Sequence, residues 1–418
     1  MKSSPCDVLI LGGGVIGLSC ALYLLRAGMS VRVLERGQVG CGASHGNCGT
    51  ITPSHAPPLS RPGVRRKALA WMLRRDAPLY VNPHFDWRRW HWLLGFARHC
   101  NEGDYRRTAR ARHSILQRSR NAIAALVDEY GFDCEFAPSG GLHVYRDASA
   151  LAADAAEYAF CAELGIRVEQ LDAKATQAMA PCLRDGVAGG VLFPEDASLR
   201  PDRYIEALAQ QVRALGGLID EGVQVRSFSM DGERIVRVHS ANDAYPAGEV
   251  LMAMGAWTPL LARQLRLNVP VQPGKGYSQT WSRLASSASI PLVLMEASVC
   301  VTSWGSGYRL GSTMEFSGYD STLNQLRLDA ITRSAAQYLR QPTGPQLQEQ
   351  WWGWRPMSVD EMPIIGRSVA CRNLSWATGH GMLGVSMSAA TGELIAAQLA
   401  GLDAPIDAYA YAPARFGI

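Results

Sequence analysis

The chain has 418 residues, a formal charge of +4, 47% hydrophobic and 19% charged residues, which suits a soluble enzyme of two to three domain-sized units. So mild a charge calls for no nucleic-acid partner, and no dense Lys/Arg run with interleaved aromatics of the RNA-binding kind occurs. The ten cysteines are scattered, without a C-x-x-C pair or a zinc-like His/Cys spacing; this argues against a disulfide framework and a metal site and for a reducing compartment, the cytoplasm.

The apolar opening, VLILGGGVIGLSCALYLL, has the look of a signal peptide or anchor, but Asp7 opens it, glycines interrupt it and no A-x-A cleavage site fits. No other stretch is a transmembrane candidate. From Asp7 to Leu11 the run predicts a strand buried on both faces. Gly12, Gly14 and Gly17 then spell G-x-G-x-x-G, with Val15 and Ile16 at the start of an apolar helix predicted through about Ala27 and ended by Gly28. A second strand is predicted from Ser30 to Leu34, closed by Glu35. In register, these parts predict a dinucleotide site. The glycines admit a tight turn, a pyrophosphate and a close helix, while the helix N-terminus offers free N–H groups and Glu35 can accept from a ribose.

The fingerprint does not separate NAD from FAD. The segment after it, VGCGASHGNCGTITP, favours FAD: from Arg36 onward, Ala43, Ser44, Asn47, Gly49, Thr50 and Ile51 offer backbone and short polar groups to a long extended cofactor. Residues 61–100 mix arginines with tryptophans, which allows either a membrane-surface segment or a pair of helices whose aromatics face a pocket. Pro78 and Pro83 interrupt any long amphipathic face and favour the second reading. A long helix follows from Glu102. Further on, residues 200–217 have a helical period with a Gly-Gly stop, residues 221–228 read as a strand, and residues 250–257 read as a buried strand ending at Gly255 and Trp257. Last come a strand at 373–378, a turn of Gly379, His380, Gly381, Met382, Leu383 and Gly384, and a helix. That turn suits close approach to a ligand, and the helix N-terminus would stabilise negative charge.

These segments together resemble the D-amino-acid oxidase superfamily of FAD enzymes, and within it the bacterial D-amino-acid dehydrogenases. The likeness rests on the fingerprint and on SHGNCGTITPSHAPPLSRPGV, LAWMLRRDAPLYVNP, PVQPGKGYS, GYRLGSTMEFSGYD, WGWRPMSVDEMPIIG and NLSWATGHGMLGVSMSAATGELIA, in this order and over nearly the whole chain. It implies an α/β fold: a discontinuous Rossmann-like FAD domain (1–60, 190–265 and 355–418) and an α+β substrate domain with a mixed or antiparallel sheet (61–189 and 266–354). It places Val225 against the adenine and the C-terminal helix at the flavin edge where charge accumulates.

In this family the arginine of G-x-R-P fixes a substrate α-carboxylate, which assigns that task to Arg355; the alternative is a structural arginine paired with Asp360 or Glu361. Tyr277 and His380 are candidates to bind substrate or shape its pocket, with Tyr319 and His55 behind them, and Lys275 is expected near the flavin. Some relatives link FAD to a histidine in W-H-A-A-G. Here His45 sits one place earlier, so non-covalent FAD is expected. The implied reaction oxidises D-amino acids to imino acids, which hydrolyse to 2-oxo acids and ammonia, with a quinone or respiratory-chain acceptor and peripheral contact with the inner face of the cytoplasmic membrane. D-Proline or cis-4-hydroxy-D-proline, an oxidase reaction with O2, and a flavin subunit of a larger complex stay open as alternatives.

Overall fold

The computed structural model describes residues 6–63 and 79–418. Val8–Leu11 forms the strand that the apolar run predicts, every residue at most 1% exposed, so both faces are covered. It lies inside a six-stranded sheet in the order Ile364–Arg367, Leu374–Thr378, Glu249–Met252, Val8–Leu11, Val31–Leu34 and Leu218–Asp220, parallel except at the Ile364–Arg367 edge. The chain steps outward through Val31–Leu34 to Leu218–Asp220, then returns on the other side at Glu249–Met252. Strand succession thus reverses at Val8–Leu11, and a ligand crevice opens at the strand ends beside such a switch.

Glycine is required where the chain turns out of that strand. At Gly12, φ is +110° and a Cβ would lie 2.6 Å from the Ala253 carbonyl oxygen; at Gly17 a Cβ would lie 2.0 Å from the Gly12 carbonyl oxygen. Helix Val15–Arg26 can therefore sit tightly on the sheet, and it packs against the C-terminal helix Gly384–Ala400.

The second large sheet is mixed. Leu347–Ser358, Val271–Trp281, Gly307–Phe316 and Val299–Trp304 pair antiparallel in that order, and Leu292–Leu294, Gly141–Tyr145, Gly189–Phe193 and Glu169–Asp172 continue it, with Leu292–Leu294 parallel to Gly141–Tyr145. Residues 190–193 and 355–358, grouped by the sequence with the nucleotide-binding part, hydrogen-bond in this sheet, because strands Gly189–Phe193 and Leu347–Ser358 run through both expected boundaries.

Two other expectations need correction. The strand read over 221–228 begins only at Ser227. Gly222, at φ +74°, turns the chain, and the amides of Gly222 and Val223 donate to the carbonyls of Gly37 and Glu35, so the segment bends toward the nucleotide loop. In the basic aromatic stretch, residues 64–78 lie outside the described residues. Its later part forms helix Trp87–His99, capped by Asp86, which accepts from the amides of Arg88 and Arg89. Trp92 is buried there as expected, but Arg89 is buried too, donating to the carbonyls of His84 and Phe316. The next helix, Glu102–Tyr130, is the long one predicted, capped by Asn101 and ended by Gly131 in the left-handed conformation. No helix among the described residues is long and apolar enough to cross a membrane.

Candidate active site

Between the two sheets lies a cavity of about 1350 Å³, large for a small-molecule site and of the size an extended dinucleotide with a substrate needs. At one end Gly12, Gly14, Val15 and Ile16 begin the first helix. Its N-cap, Gly14, makes no side-chain cap, and no acidic residue sits in its first turn. Gly384 begins the C-terminal helix on the same cavity, equally free of a side-chain cap or a first-turn acid. Two helix N-termini therefore present their first-turn amides and positive dipole ends to one space, which fits the negative charges of a dinucleotide.

Glu35 is tied down by two amides, Gly13 N–H to Oε2 at 2.7 Å and Gly37 N–H to Oε1 at 2.9 Å. Arg36 lies over the Trp257 ring, 3.9 Å from its centre. Ser44 accepts from the Val15 amide at 3.3 Å, and Asn47 donates to the Met382 carbonyl at 3.3 Å, joining the small-residue loop to the C-terminal turn. Ala43, Thr50, Val225, Gly255, Gly381, Met382 and Leu383 line the cavity as well. Four expected cofactor residues, Gly17, Gly49, Ile51 and Gly379, do not line it. Gly17 lies under Gly12; a Cβ at Gly49 would meet the Leu199 carbonyl; Ile51 is fully buried and pairs with Ala197; Gly379 turns the chain at φ +77°. They shape the wall without forming it.

Arg355 lines the cavity from strand Leu347–Ser358, with its guanidinium laid over Gly276 on the neighbouring strand, where a Cβ would come within 2.3 Å of Cζ. Its Nη1 donates to the Thr313 carbonyl at 2.5 Å. Thr313 holds φ +67°, unusual for a β-branched residue; this turn of the backbone presents the carbonyl to the arginine. Among the described residues no carboxylate pairs with Arg355. Asp360 instead pairs with Arg415 at 2.8 Å, and Glu361 accepts from the amides of Leu59 and Ser60 and lies 3.7 Å from Arg112. Burial pushes the Arg355 pKa down, but a guanidinium keeps its charge at neutral pH. A recessed cation without an acid is costly.

The other candidates take quieter places. Tyr277 touches the cavity, but its hydroxyl donates to Glu315 at 2.9 Å. His380 also lines it, and burial pushes its pKa down to about 3, so the ring is neutral. Thr391 gives its own proton to the Met387 carbonyl, so His380 Nε2, 3.0 Å away, is the donor to Thr391 Oγ1 and Nδ1 is left an acceptor. Tyr319 donates to the Ala256 carbonyl and is not on the cavity wall. Lys275 is fully buried in its strand, off the wall, with Nζ on the Thr322 carbonyl and 3.4 Å from Asp320. It was expected near the flavin, but it does not line the cavity, and these partners engage its ammonium. His45 pairs with Glu349 at 2.7 Å and does not line the cavity. Cys48 and Cys300 line it beside Arg355, and the hydrogen bond between them lowers the Cys48 thiol and raises that of Cys300. Sequence reasoning passed over Gly276, Thr313 and Cys300, and took Cys48, beside the cofactor motif, for a buried small hydrophobe. Only the P-G-K-G-Y spacing hinted at one of them.

A large cavity at a strand-order switch, with two helix N-termini on its wall, is that of a flavoenzyme with a Rossmann-like cofactor half. The chain belongs to the DAO family of FAD dependent oxidoreductases, whose sequence profile matches residues 7–398. It is 31% identical over 415 residues to a D-amino acid dehydrogenase of Granulibacter bethesdensis, covering 98% of this chain and 99% of that one. It is 34% identical over 403 residues to a D-amino acid dehydrogenase of Methylobacterium nodulans, covering 94% and 95%. The fold superposes on glycine oxidase from Geobacillus kaustophilus with a TM-score of 0.78 at 20% identity, covering 98% of both chains.

Proposed function

We propose that this enzyme is a D-amino-acid dehydrogenase, oxidising the Cα–N bond to an imino acid that hydrolyses to a 2-oxo acid and ammonia. The observation that carries the reading is Arg355, a recessed guanidinium on the cofactor cavity with no carboxylate partner among the described residues. A substrate α-carboxylate supplies the missing anion, and the planar fork accepts it in bidentate fashion. The Thr313 carbonyl and Gly276 set the plane of that fork. Met314 Sδ lies 4.0 Å from Arg355 Nη1, and Trp351, Trp354 and Met357 also line the cavity, an apolar lining that would exclude water and strengthen the pair.

Gly12, Gly14 and Glu35 would hold the adenosine half of FAD, and the Met382–Gly384 turn the flavin; bound FAD supplies the acceptor for hydride. The protein's task is then to position the amino acid, and neither Tyr277 nor neutral His380 is needed as a base. Non-covalent attachment is supported by the engagement of His45 with Glu349; acid precipitation should leave the yellow colour in the supernatant. A quinone acceptor reached at a membrane surface is supported by exposed Phe85, Trp87 and Leu94, at 73%, 67% and 58%, around helix Trp87–His99. Sedimentation with anionic vesicles, weakened by Trp87→Ala, is the expected result for that contact.

The deciding experiment is anaerobic bleaching of the flavin by a panel of D- and L-amino acids that includes the prolines, followed by reoxidation with a soluble quinone or with O2. Bleaching by D-compounds and recovery by quinone without peroxide are expected. Bleaching by no amino acid would remove the role assigned to Arg355.

A further inference from the structure

Two thiols on the cavity wall have no part in the reaction proposed above. Cys48 belongs to the small-residue loop, and Cys300 to strand Val299–Trp304 of the mixed sheet. Both are half-buried, both line the cavity, and they hydrogen-bond to each other.

The sheet explains how they meet. In the antiparallel pairing of Val299–Trp304 with Gly307–Phe316, Cys300 stands opposite Gly311 and Thr302 opposite Arg309. Residues directly opposite project to one face, as do residues two apart on a strand. Cys300, Thr302 and Arg309 therefore share a face on which Gly311 leaves a gap. Cys48 fills it: a Cβ at Gly311 would lie 2.2 Å from the Cys48 sulfur. Arg309 holds the loop there, donating to the carbonyls of His45 and Asn47 at 2.9 and 2.7 Å. Asn47 in turn donates to the Met382 carbonyl and accepts from the Gly49 amide at 2.7 Å. The backbone on either side of Cys48 is thereby anchored.

The two thiols are chemically unequal. The hydrogen bond with Cys300, and then the Arg309 and Arg355 guanidiniums, hold the Cys48 thiol below its ordinary pKa against the cost of burial. Cys300 is raised by the same bond and by burial, and its sulfur lies 3.9 Å from the Thr302 hydroxyl. One thiol held toward its anion beside another that keeps its proton suits an attacking and a resolving cysteine.

We propose that Cys48 and Cys300 are a redox clamp: hydrogen peroxide oxidises them to a disulfide that fastens the cofactor loop to the mixed sheet. The Cys48 sulfur attacks one peroxide oxygen and the O–O bond breaks, giving a Cys48 sulfenic acid and water. The Cys300 sulfur then attacks the Cys48 sulfur and expels the hydroxyl, which takes the Cys300 proton and leaves as water. The two thiols lose two electrons and two protons, and the peroxide gains them to become two waters. Sulfurs already in contact have a short approach to a bond of about 2.05 Å. The bridge restrains the loop that brings Ser44, Asn47 and Thr50 to the cavity wall. Release of FAD needs that loop to loosen, so the closed clamp retains the cofactor.

The test counts thiols in the holoenzyme. The chain has ten cysteines; after stoichiometric peroxide, unfolding in a thiol reagent should find two fewer free thiols. Mass spectrometry of the unreduced digest should show a Cys48–Cys300 cross-linked peptide, and dithiothreitol should abolish it. An undiminished thiol count, or a bridge between other cysteines, overturns the pair. Cys300→Ser should stop at a Cys48 sulfenic acid that dimedone traps, whereas Cys48→Ser should give no dimedone adduct at Cys300. The reverse pattern overturns the assigned attack. Bound FAD reports that each variant folds, and the wild-type digest decides the pairing without them. Release of FAD on dilution, followed by flavin fluorescence, should be about tenfold slower in the oxidised wild type and recover on reduction. A bridge that leaves this rate unchanged overturns the clamp. None of these readouts uses a substrate, so their failure is separate from failure of the amino-acid reading.

Discussion

Arg309 and Arg355 stand on strands that flank Val271–Trp281 on either side, and their surroundings are opposite. Arg309 is 1% exposed and saturated: it donates to Thr280 Oγ1 at 2.9 Å, to the carbonyls of His45 and Asn47 at 2.9 and 2.7 Å, and lies 3.6 Å from Glu349. Arg355 has one carbonyl and a thioether at 4.0 Å, and it opens onto the cavity. The first arginine clamps the cofactor loop to the large sheet. The second has valences left over for a ligand. A residue type alone therefore says little; the count of satisfied donors separates a strut from a binding group.

The sharpest way to break this contrast is to remove each guanidinium. Arg355→Met should cut kcat/KM on the order of 10³-fold while shifting unfolding free energy by no more than about 1 kcal/mol, because no acid among the described residues loses its partner. Steady-state kinetics beside thermal melts measure both, and a large loss of stability with intact kcat/KM would sink the assignment. Arg309→Met should do the reverse, destabilising by about 3 kcal/mol and loosening FAD, since several buried acceptors are orphaned. A melt unchanged by that substitution would show that Arg309 is no clamp.

The smallest effect comes from pH, to which neither guanidinium responds. Folded His380 and His143 have pKa values near 3 and His55 near 4, against an ordinary 6.5. The unfolded chain takes up protons that the folded chain refuses, so this stability is present above about pH 6.5 and is lost as pH falls toward the folded values. Asp196, raised to about 7 by burial, works the other way: its contribution is full below the ordinary carboxylate pKa and fades as pH rises through 7. The net loss between pH 7 and pH 6 is about 1 kcal/mol. Melts across that window should show a falling Tm, and a flat or rising one contradicts the burial of the histidines.

The cofactor half was legible because its signals are local. An apolar run, three glycines at fixed spacing and an acid after the second strand impose strand, turn, helix and strand within thirty residues, and the structure follows them closely. Arg355 was also legible, through G-x-R-P. What could not be read was whether Asp360 or Glu361 would neutralise it. They sit five and six residues away, yet the turn after the strand, with Glu361 at φ +58°, sends them to Arg415 and Arg112. Lys275 shows the same lesson from the other side: its rarity drew attention, but Lys275 does not line the cavity, and its ammonium is engaged by the Thr322 carbonyl and Asp320.

By itself the sequence determined the nucleotide fold, the small-residue loop and the C-terminal glycine turn, while Arg355 was singled out only by the family resemblance. These depend on backbone conformations and periodicities that neighbouring residues dictate. The tertiary structure alone decided which charges are already paired, which glycines form the wall and which lie behind it, and that His143 from one strand meets Tyr158 from the next helix. Pairing and proton order are properties of groups brought together from distant parts of the chain, so they exist only once the sheets have packed.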